Sequence, residues 1–467
     1  MTVERIISRR GVVYGGGAAV AVASNFSAAR AWGQALSRSD ATFGRGSYVN
    51  GQMFGLQPST VKDQSHALQA AIDQTAAKGL TLSLTAGTYL VAGIVLRPGV
   101  RIEGQAGATV LGYAGGGTFV TAAGAHGARL SGLVFDGQQL PLERARVSGL
   151  LQIAEATDLV IDDCMVRRSI ADGIVLQRCA GRVTRTTVSM VKGSAIFSLD
   201  ADVTAGAIEI ANCRIQDAAD NGILIWRSRD GVDGSRVTAS TIERISNVSG
   251  GSGQYGNGVN VYRAHGVSVM QCRIFDCSYS AVRGNAASNF QVLGNQAAGI
   301  GEVALYAEFG FQGAMIANNI VDGAACGIAV TNFDVGGRLA VVQGNLIRNL
   351  VRREAEPVDK RGEGIAVEAD AAVSGNVIEA APTAGLLIGW GKHMRNVVAM
   401  GNLIRNARIG IAVTATVGAG QCLVGQNIIS GARDGAIRAM EHAVPVGDEL
   451  AGMARYRHIV LEGNVVS

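Results

Sequence analysis

The 467-residue chain is short of lysine, proline, aromatic side chains and charge. Lysine occurs only at Lys62, Lys78, Lys192, Lys360 and Lys392, and the arginines are scattered. A nucleic-acid surface needs a clustered basic stripe, so that class of partner is not expected. Proline appears 6 times against 64 glycines, which excludes a collagen-like chain, where both residues are abundant. Aromatic residues make up 5% of the chain and charged ones 17%, so a core must be built from small aliphatic side chains. Hydrophobic residues at 48% are enough to exclude wholesale disorder. There is no cysteine cluster, Gly-rich dinucleotide fingerprint or haem-attachment motif, and neither a cofactor nor a metal is expected. Length alone suggests several domains, a prior that repeat architectures break.

Residues 1–31 combine a basic start, the run Ser8-Arg9-Arg10-Gly11-Val12-Val13, and a weakly apolar stretch to Ala29. They resemble a bacterial twin-arginine export signal, with Ala29-Arg30-Ala31 as a small-x-small cleavage site before Trp32. The alternative is an uncleaved anchor, but Ser24 and Asn25 interrupt the run and it stays short of the ~20 apolar residues of a span. The resemblance implies export by the twin-arginine translocation machinery, a periplasmic or secreted product, and no membrane span once the signal is gone. Removing residues 1–31 leaves 37 basic against 36 acidic residues, so the formal charge of +4 belongs mostly to the signal. Residues 32–62 read as an extended lead-in.

A repeat averaging about 27 residues runs through the rest. One slot holds Cys164, Thr186, Cys213, Ser240, Cys272, Asn295, Asn319, Asn345, Asn376, Asn402, Asn427 and Asn464, usually with Gly before it in the later units. A small residue, mostly Gly, follows the slot by 8 or 9 residues, except for 18 after Ser240 and 19 after Asn345, and opens an alternating apolar run such as Gly173-Ile174-Val175-Leu176 or Gly364-Ile365-Ala366-Val367. Alternation this short predicts strands. Two strand signals and a tight turn per unit describe one coil of a parallel β-helix, with stacked Asn side chains forming a ladder and tolerating left-handed backbone at the turn. Cys164, Cys213 and Cys272 lie two coils apart, roughly 10 Å at ~4.8 Å per coil, too far for a disulfide. Two insertions, Asn247–Gly256 and Val351–Glu363, fall at one repeat position and so map to one face.

Ahead of the repeats, residues 63–77 predict an amphipathic helix capped by Asp63, with Ala67, Leu68, Ala71 and Ile72 on one side. The pattern Asp63-x-x-x-Ala67-Leu68-Gln69-x-Ala71-Ile72, then Gly87-Thr88-Tyr89, Phe135-Asp136-Gly137 and the Asn slots, resembles the pectate-lyase-like superfamily over about 85% of the chain. The implied fold is all-β: a single-stranded right-handed parallel β-helix with a short N-terminal capping helix. The cap and first coils would occupy residues 63–137 and the repeats 138–467. With its signal the chain also resembles the twin-arginine-translocated β-helix repeat proteins, a family of uncharacterised biochemical role. The superfamily contains lyases, hydrolases, epimerases and non-catalytic binders, so the fold does not choose among them. Ala264-His265-Gly266 and Asp162-Asp163 are present, but Arg-Ile-Lys, Asp-Pro-His and Gly-Gly-x-Gly-x-Asp motifs are absent.

By the same resemblance, the strand opened by each small residue belongs to the sheet that carries a polysaccharide groove. Positions two and four beyond it should point outward. Aromatic and polar residues coincide there in four consecutive units, giving Trp226, Asn260, Tyr262, Arg283, Asn285, Tyr306 and Glu308, with Tyr255 entering on the first insertion. Aromatic faces pack on sugar rings while Asn and Arg bond hydroxyls and carboxylates. For β-elimination on a uronate polymer, Arg283 would neutralise the carboxylate, Tyr262 or Tyr306 would move the proton, and Glu308 would orient the set. Trp226, Asn260, Asn285, Tyr255 and His265 would hold the glycan, His265 being either a base from the adjoining loop or a structural residue. A glycosidase needs two facing carboxylates within ~9 Å, and Glu368, two or more coils from Glu308, does not offer that. The competing class is a non-catalytic scaffold for envelope polysaccharide or a partner protein, and an ordinary exposed sheet would carry similar long side chains.

Overall fold

The computed structural model of the chain describes residues 47–143, 148–332, 337–356, 360–449 and 456–467. The expected export signal and the expected lead-in as far as residue 46 lie outside the described residues.

Three long sheets of 16, 15 and 15 strands run side by side, and each strand pairs with the one three elements further along the chain. That order is a solenoid in which every coil contributes one strand to each sheet. In one coil, Leu159–Asp162 belongs to sheet I, Met165–Ser169 to sheet III and Asp172–Gln177 to sheet II. Pairing is parallel except at the C-terminal end of sheet II, where Ile437–Glu441 meets Val444–Glu449 antiparallel. Ile174 and Leu176 point inward from sheet II and are fully buried, as alternation required.

The Asn slot forms the turn from sheet I to sheet III. In the early units the backbone N–H of each slot cysteine donates to the slot side chain of the next coil, from Cys164 to Thr186, Cys213 to Ser240 and Cys272 to Asn295. Asn295, Asn319, Asn345, Asn376, Asn402, Asn427 and Asn464 then continue as a ladder. The left-handed backbone falls one residue before the slot, at Gly344, Gly375 and Gly401 with φ of 65°, 62° and 66°, and not at the Asn itself. This corrects the role expected for Asn: the residue before it, Gly in most Asn units but Asn318 and Gln426 in two, supplies the left-handed turn, and the slot Asn supplies only hydrogen bonds. Asn376 makes four such contacts through its side chain, accepting from Asn345 N and Nδ2 and donating to Asn402 Oδ1 and Val342 O. Asn376→Ala leaves buried donors of Asn345 unmet. It should cost about 2–4 kcal/mol in a denaturant titration, from a net ~1 kcal/mol per lost bond plus the orphaned donors.

The Gly that opens sheet II strands has a different cause. A Cβ at Gly222 or Gly364 would lie 2.5 or 2.4 Å from the carbonyl oxygen of the next coil's glycine, so the close approach of coils demands its absence. The seven cysteines are free and buried, and burial raises the Cys179 and Cys213 thiols to about 11, consistent with small core residues.

The capping helix spans Ser65–Ala77 and buries Leu68, Ala71 and Ile72, with Thr75, against the first coil. Its N-cap is Gln64, not Asp63. Asp63 is drawn into a bridge with Leu90 one residue ahead, from where its carboxylate still accepts the Ser65 N–H at 2.8 Å.

Candidate functional site

Sheet II carries the expected face. Register runs without a break through Leu224, Asn260, Arg283, Tyr306 and Ala329, and two residues on through Trp226, Tyr262, Asn285, Glu308 and Thr331. Neighbouring residues in each row stand one strand step apart, ~4.8 Å.

Two insertions fold back over part of this face. In the first, Gln254 O accepts from Asn260 Nδ2 at 2.9 Å and from Asn221 Nδ2 at 3.2 Å, Gly251 O accepts from Tyr279 OH at 3.0 Å, and Ser249 is held by the Asp220 carboxylate. Gly253 rests on Arg283, and a Cβ there, at φ +120°, would fall 1.5 Å from Nη1. In the second, Arg353 Nη1 donates to Gly301 O at 2.8 Å, while Lys360 Nζ lies 3.5 Å from Glu302 Oε1 and 4.5 Å from the Tyr306 ring centroid.

The residues beneath are removed from solvent: Arg283 is 8% exposed, Asn260 6%, and Tyr306 and Glu308 1% each. The charges face one another, although Arg283 Nη1 and Glu302 Oε2 make no hydrogen bond. Arg283 Nε donates to Glu308 Oε1 at 2.6 Å, Asn285 Nδ2 donates to the same oxygen at 2.8 Å, and Arg283 Nη1 lies 3.8 Å from Glu302 Oε2. Burial works against the Arg283 charge, yet Glu308 and Glu302 outweigh it and hold the guanidinium protonated. Burial, reinforced by Glu308, pushes the Tyr306 phenol well above its ordinary range, the direction opposite to that of a proton acceptor at neutral pH. The seven residues expected along one open groove therefore divide. Arg283, Tyr306 and Glu308 converge in a covered charge cluster, with half-buried Asn285 at its edge, because the insertions lie across the face and do not merely border it.

What stays open is the aromatic end. Trp226 is 38% exposed, and Tyr262, Asn285 and Tyr255 are half-buried. Trp226 and Tyr262 have ring centroids 4.9 Å apart at 60°, with Phe197 6.4 Å further along and the Arg263 guanidinium 4.9 Å from the Tyr262 ring. One residue past Trp226, a cleft of about 630 Å³ opens between Glu155, Arg178, Asp200, Arg227, Ser228 and Arg229. Glu155 pairs with Arg178 and Asp200 accepts both the N–H and hydroxyl of Ser228, whereas exposed Arg229 makes no ion pair among the described residues. His265 joins neither part. Its Nδ1 accepts the Ser288 N–H and its Nε2 lies 3.1 Å from Asp230 Oδ2, so it ties adjacent turns.

Glu302, Lys360, Phe197 and the cleft were not singled out from sequence. Phe197 stands in the same outward row and Lys360 in an insertion already assigned to this face, so both signals were present; the direction in which an insertion folds is not written in local pattern.

No curated protein matches the chain by sequence. The model of the right-handed β-helix region matches residues 148–336 and 231–396, together more than half the chain. The chain belongs to the right-handed β-helix family. Among solved structures, this β-helix protein is similar to the pre-mature gene product 12 of bacteriophage phi29, at 14% identity and a TM-score of 0.51, over 88% of this chain and 58% of that one. It is also similar to the catalytic unit of a thermostable α-1,3-glucanase from Streptomyces thermodiastaticus, at 13% identity and a TM-score of 0.49, over 90% and 68% of the two chains. A third similar structure is the A-module of a mannuronan C-5 epimerase from Azotobacter vinelandii, at 16% identity and a TM-score of 0.33, over 90% and 95%. At 14% identity the likeness to gene product 12 is one of fold alone. Among the described residues, no helix is long and apolar enough to cross a membrane.

Proposed function

We propose that this β-helix protein is exported through its twin-arginine signal and binds polysaccharide on the open end of sheet II. The observation that carries the reading is the exposed Trp226, packed at a tilt against Tyr262 on the adjoining coil, in a chain with only 3 tryptophans. Exposed aromatic pairs present flat apolar faces that suit pyranose rings, with one coil step comparable to one sugar unit. Arg263 and Arg229 border the pair and the cleft, so acidic glycans are favoured over neutral ones. The covered cluster of Arg283, Glu302, Glu308 and Lys360 supports the face from beneath and holds the two insertions down.

A second reading, β-elimination or epimerisation of a uronate, draws support from one observation. Arg283 Nη1 is buried without a hydrogen bond, beneath a loop whose Gly253 leaves room for nothing else. In that reading Arg283, Tyr262 or Tyr306, and Glu308 act as expected from sequence once the loop lifts. A screen of uronate-containing and neutral polysaccharides separates the two. Binding to an acidic glycan with no gain in unsaturated-uronate absorbance and no change in C-5 configuration supports the binder. Product formation that Arg283→Ala abolishes supports the enzyme.

A further inference from the structure

The exit from sheet II changes just beyond Trp226. In the three coils before it the chain leaves the sheet through one left-handed residue, at Glu155, Arg178 and Asp200, with φ of 55°, 52° and 54°. After Trp226 the strand runs on to Val232, and residues 227–230 stand opposite Arg263 alone, between the pairs Trp226–Tyr262 and Gly231–Ala264. This bulge is the only register shift between parallel strands among the described residues. Bulges bend a strand and re-aim its side chains, and they recur beside functional sites. This one is tied down on both sides of Arg229. Asp200, on the coil before, accepts the Ser228 N–H at 2.7 Å and the Ser228 hydroxyl at 2.8 Å. Asp230 Oδ2 lies 3.1 Å from Nε2 of His265, on the coil after. Arg227 Nη1 donates to Ala201 O at 3.1 Å and lies 3.7 Å from the fully buried Asp233. The backbone that carries Arg229 is therefore held by two neighbouring coils, and presenting its guanidinium needs no loop ordering on binding.

Arg229 lines the cleft beside Trp226, and the other charged groups of that lining are engaged. Glu155 pairs with Arg178 at 2.7 Å. Asp202 accepts from the Thr204 hydroxyl and from the N–H groups of Thr204 and Ala205, which hold its carboxyl below the usual carboxylate range. Of the charged lining, only the exposed Arg229 has a side chain that makes no hydrogen bond or ion pair among the described residues. Arg263, the other cation near the aromatic pair, has its guanidinium 4.9 Å from the Tyr262 ring centroid and does not line the cleft. A fixed, unpaired guanidinium three residues from an exposed indole suits an acidic sugar. The ring packs on the aromatic face, and the planar fork of N–H donors takes two oxygens of the acid at once.

Resting on the glycan reading above, we infer that Arg229 is the residue that selects acidic sugars, by holding in the cleft the carboxylate or sulfate of a sugar packed on or beside Trp226. The test is calorimetric titration of the full chain with polygalacturonate and with the same polymer after its carboxyl groups are reduced to alcohols. Wild type should bind the acidic form at least about tenfold tighter, the order expected of a hydrogen bond to a charged group. Arg229→Gln should bring the two affinities within about twofold of each other, with an unchanged unfolding midpoint. Arg214→Gln removes the same charge from an exposed site on sheet III and should keep the wild-type ratio, which separates Arg229 from a general effect of net charge. Dextran sulfate against dextran repeats the comparison for a sulfate, and a preference for either acid that Arg229→Gln removes supports the inference. A preference that survives Arg229→Gln, or one that Arg214→Gln removes equally, overturns it. So does a wild type that binds acidic and neutral forms alike; if Trp226→Ala then abolishes that binding, the glycan reading stands without the inference. Binding of none of these polymers overturns both.

Discussion

Glu308→Ala is expected to lower the unfolding free energy by about 3 kcal/mol or more, the usual cost of leaving a buried charge without its partner. Glu308 is 1% exposed, and its Oε1 takes hydrogen bonds from Arg283 and Asn285. Removing it leaves the 8%-exposed guanidinium with only Glu302, whose Oε2 lies 3.8 Å from Nη1. Much of the loss should return when Arg283 is also replaced by Met, because no buried charge is then left without its partner. Urea titrations of Glu308→Ala, Arg283→Met and the double variant measure the coupling directly. A Glu308→Ala loss within ~0.5 kcal/mol of zero, the size of an ordinary surface change, would mean that water reaches the guanidinium. The loop carrying Gly253 would then open readily, which is the condition the catalytic reading needs.

Trp226→Ala is expected to weaken glycan binding about 30-fold or more while leaving stability nearly unchanged. Truncating a central aromatic anchor typically costs ≥ ~2 kcal/mol of binding, and ~1.4 kcal/mol is tenfold in affinity. The indole is 38% exposed and stands over the outer face of the sheet, so its loss opens no core cavity. Tyr262→Ala should weaken binding less, because its ring is half-buried between Trp226 and Arg263. Calorimetric titration with the glycan found in the screen reads both effects. Equal affinities for wild type and Trp226→Ala would move the binding surface elsewhere.

The solenoid was legible in the sequence because its determinants are local and recur. The Asn slot, the Gly at the start of each sheet II strand and the period-2 alternation each follow from one coil stacking on the next. The outward rows were legible for the same reason, and Trp226 and Tyr262 stand where the register placed them. The covering of Arg283 and Tyr306 was not legible. It depends on where residues 247–256, 351–356 and 360–363 come to rest, which is settled by long-range contacts such as Lys360 with Glu302 and Gly253 with Arg283. The cap residue was misplaced by one because a bridge to Leu90 claims Asp63 before the helix begins. Outward aliphatic residues such as Leu346 were not legible either, because in sequence they resemble core positions, and only the register shows that Leu346 points outward while Ile347 is fully buried.

The most direct test of the central claim is a tryptophan-fluorescence titration with an acidic polysaccharide, run on wild type and Trp226→Ala side by side. The chain's other tryptophans, Trp32 and Trp390, remain in both proteins as an internal reference. If the open aromatic step holds the glycan, wild type should show a saturable blue shift that yields a binding constant, and Trp226→Ala should show none over the same range. A saturable shift of equal size and midpoint in Trp226→Ala would contradict the placement of the site, and the absence of any glycan-dependent signal or binding in wild type would contradict the function.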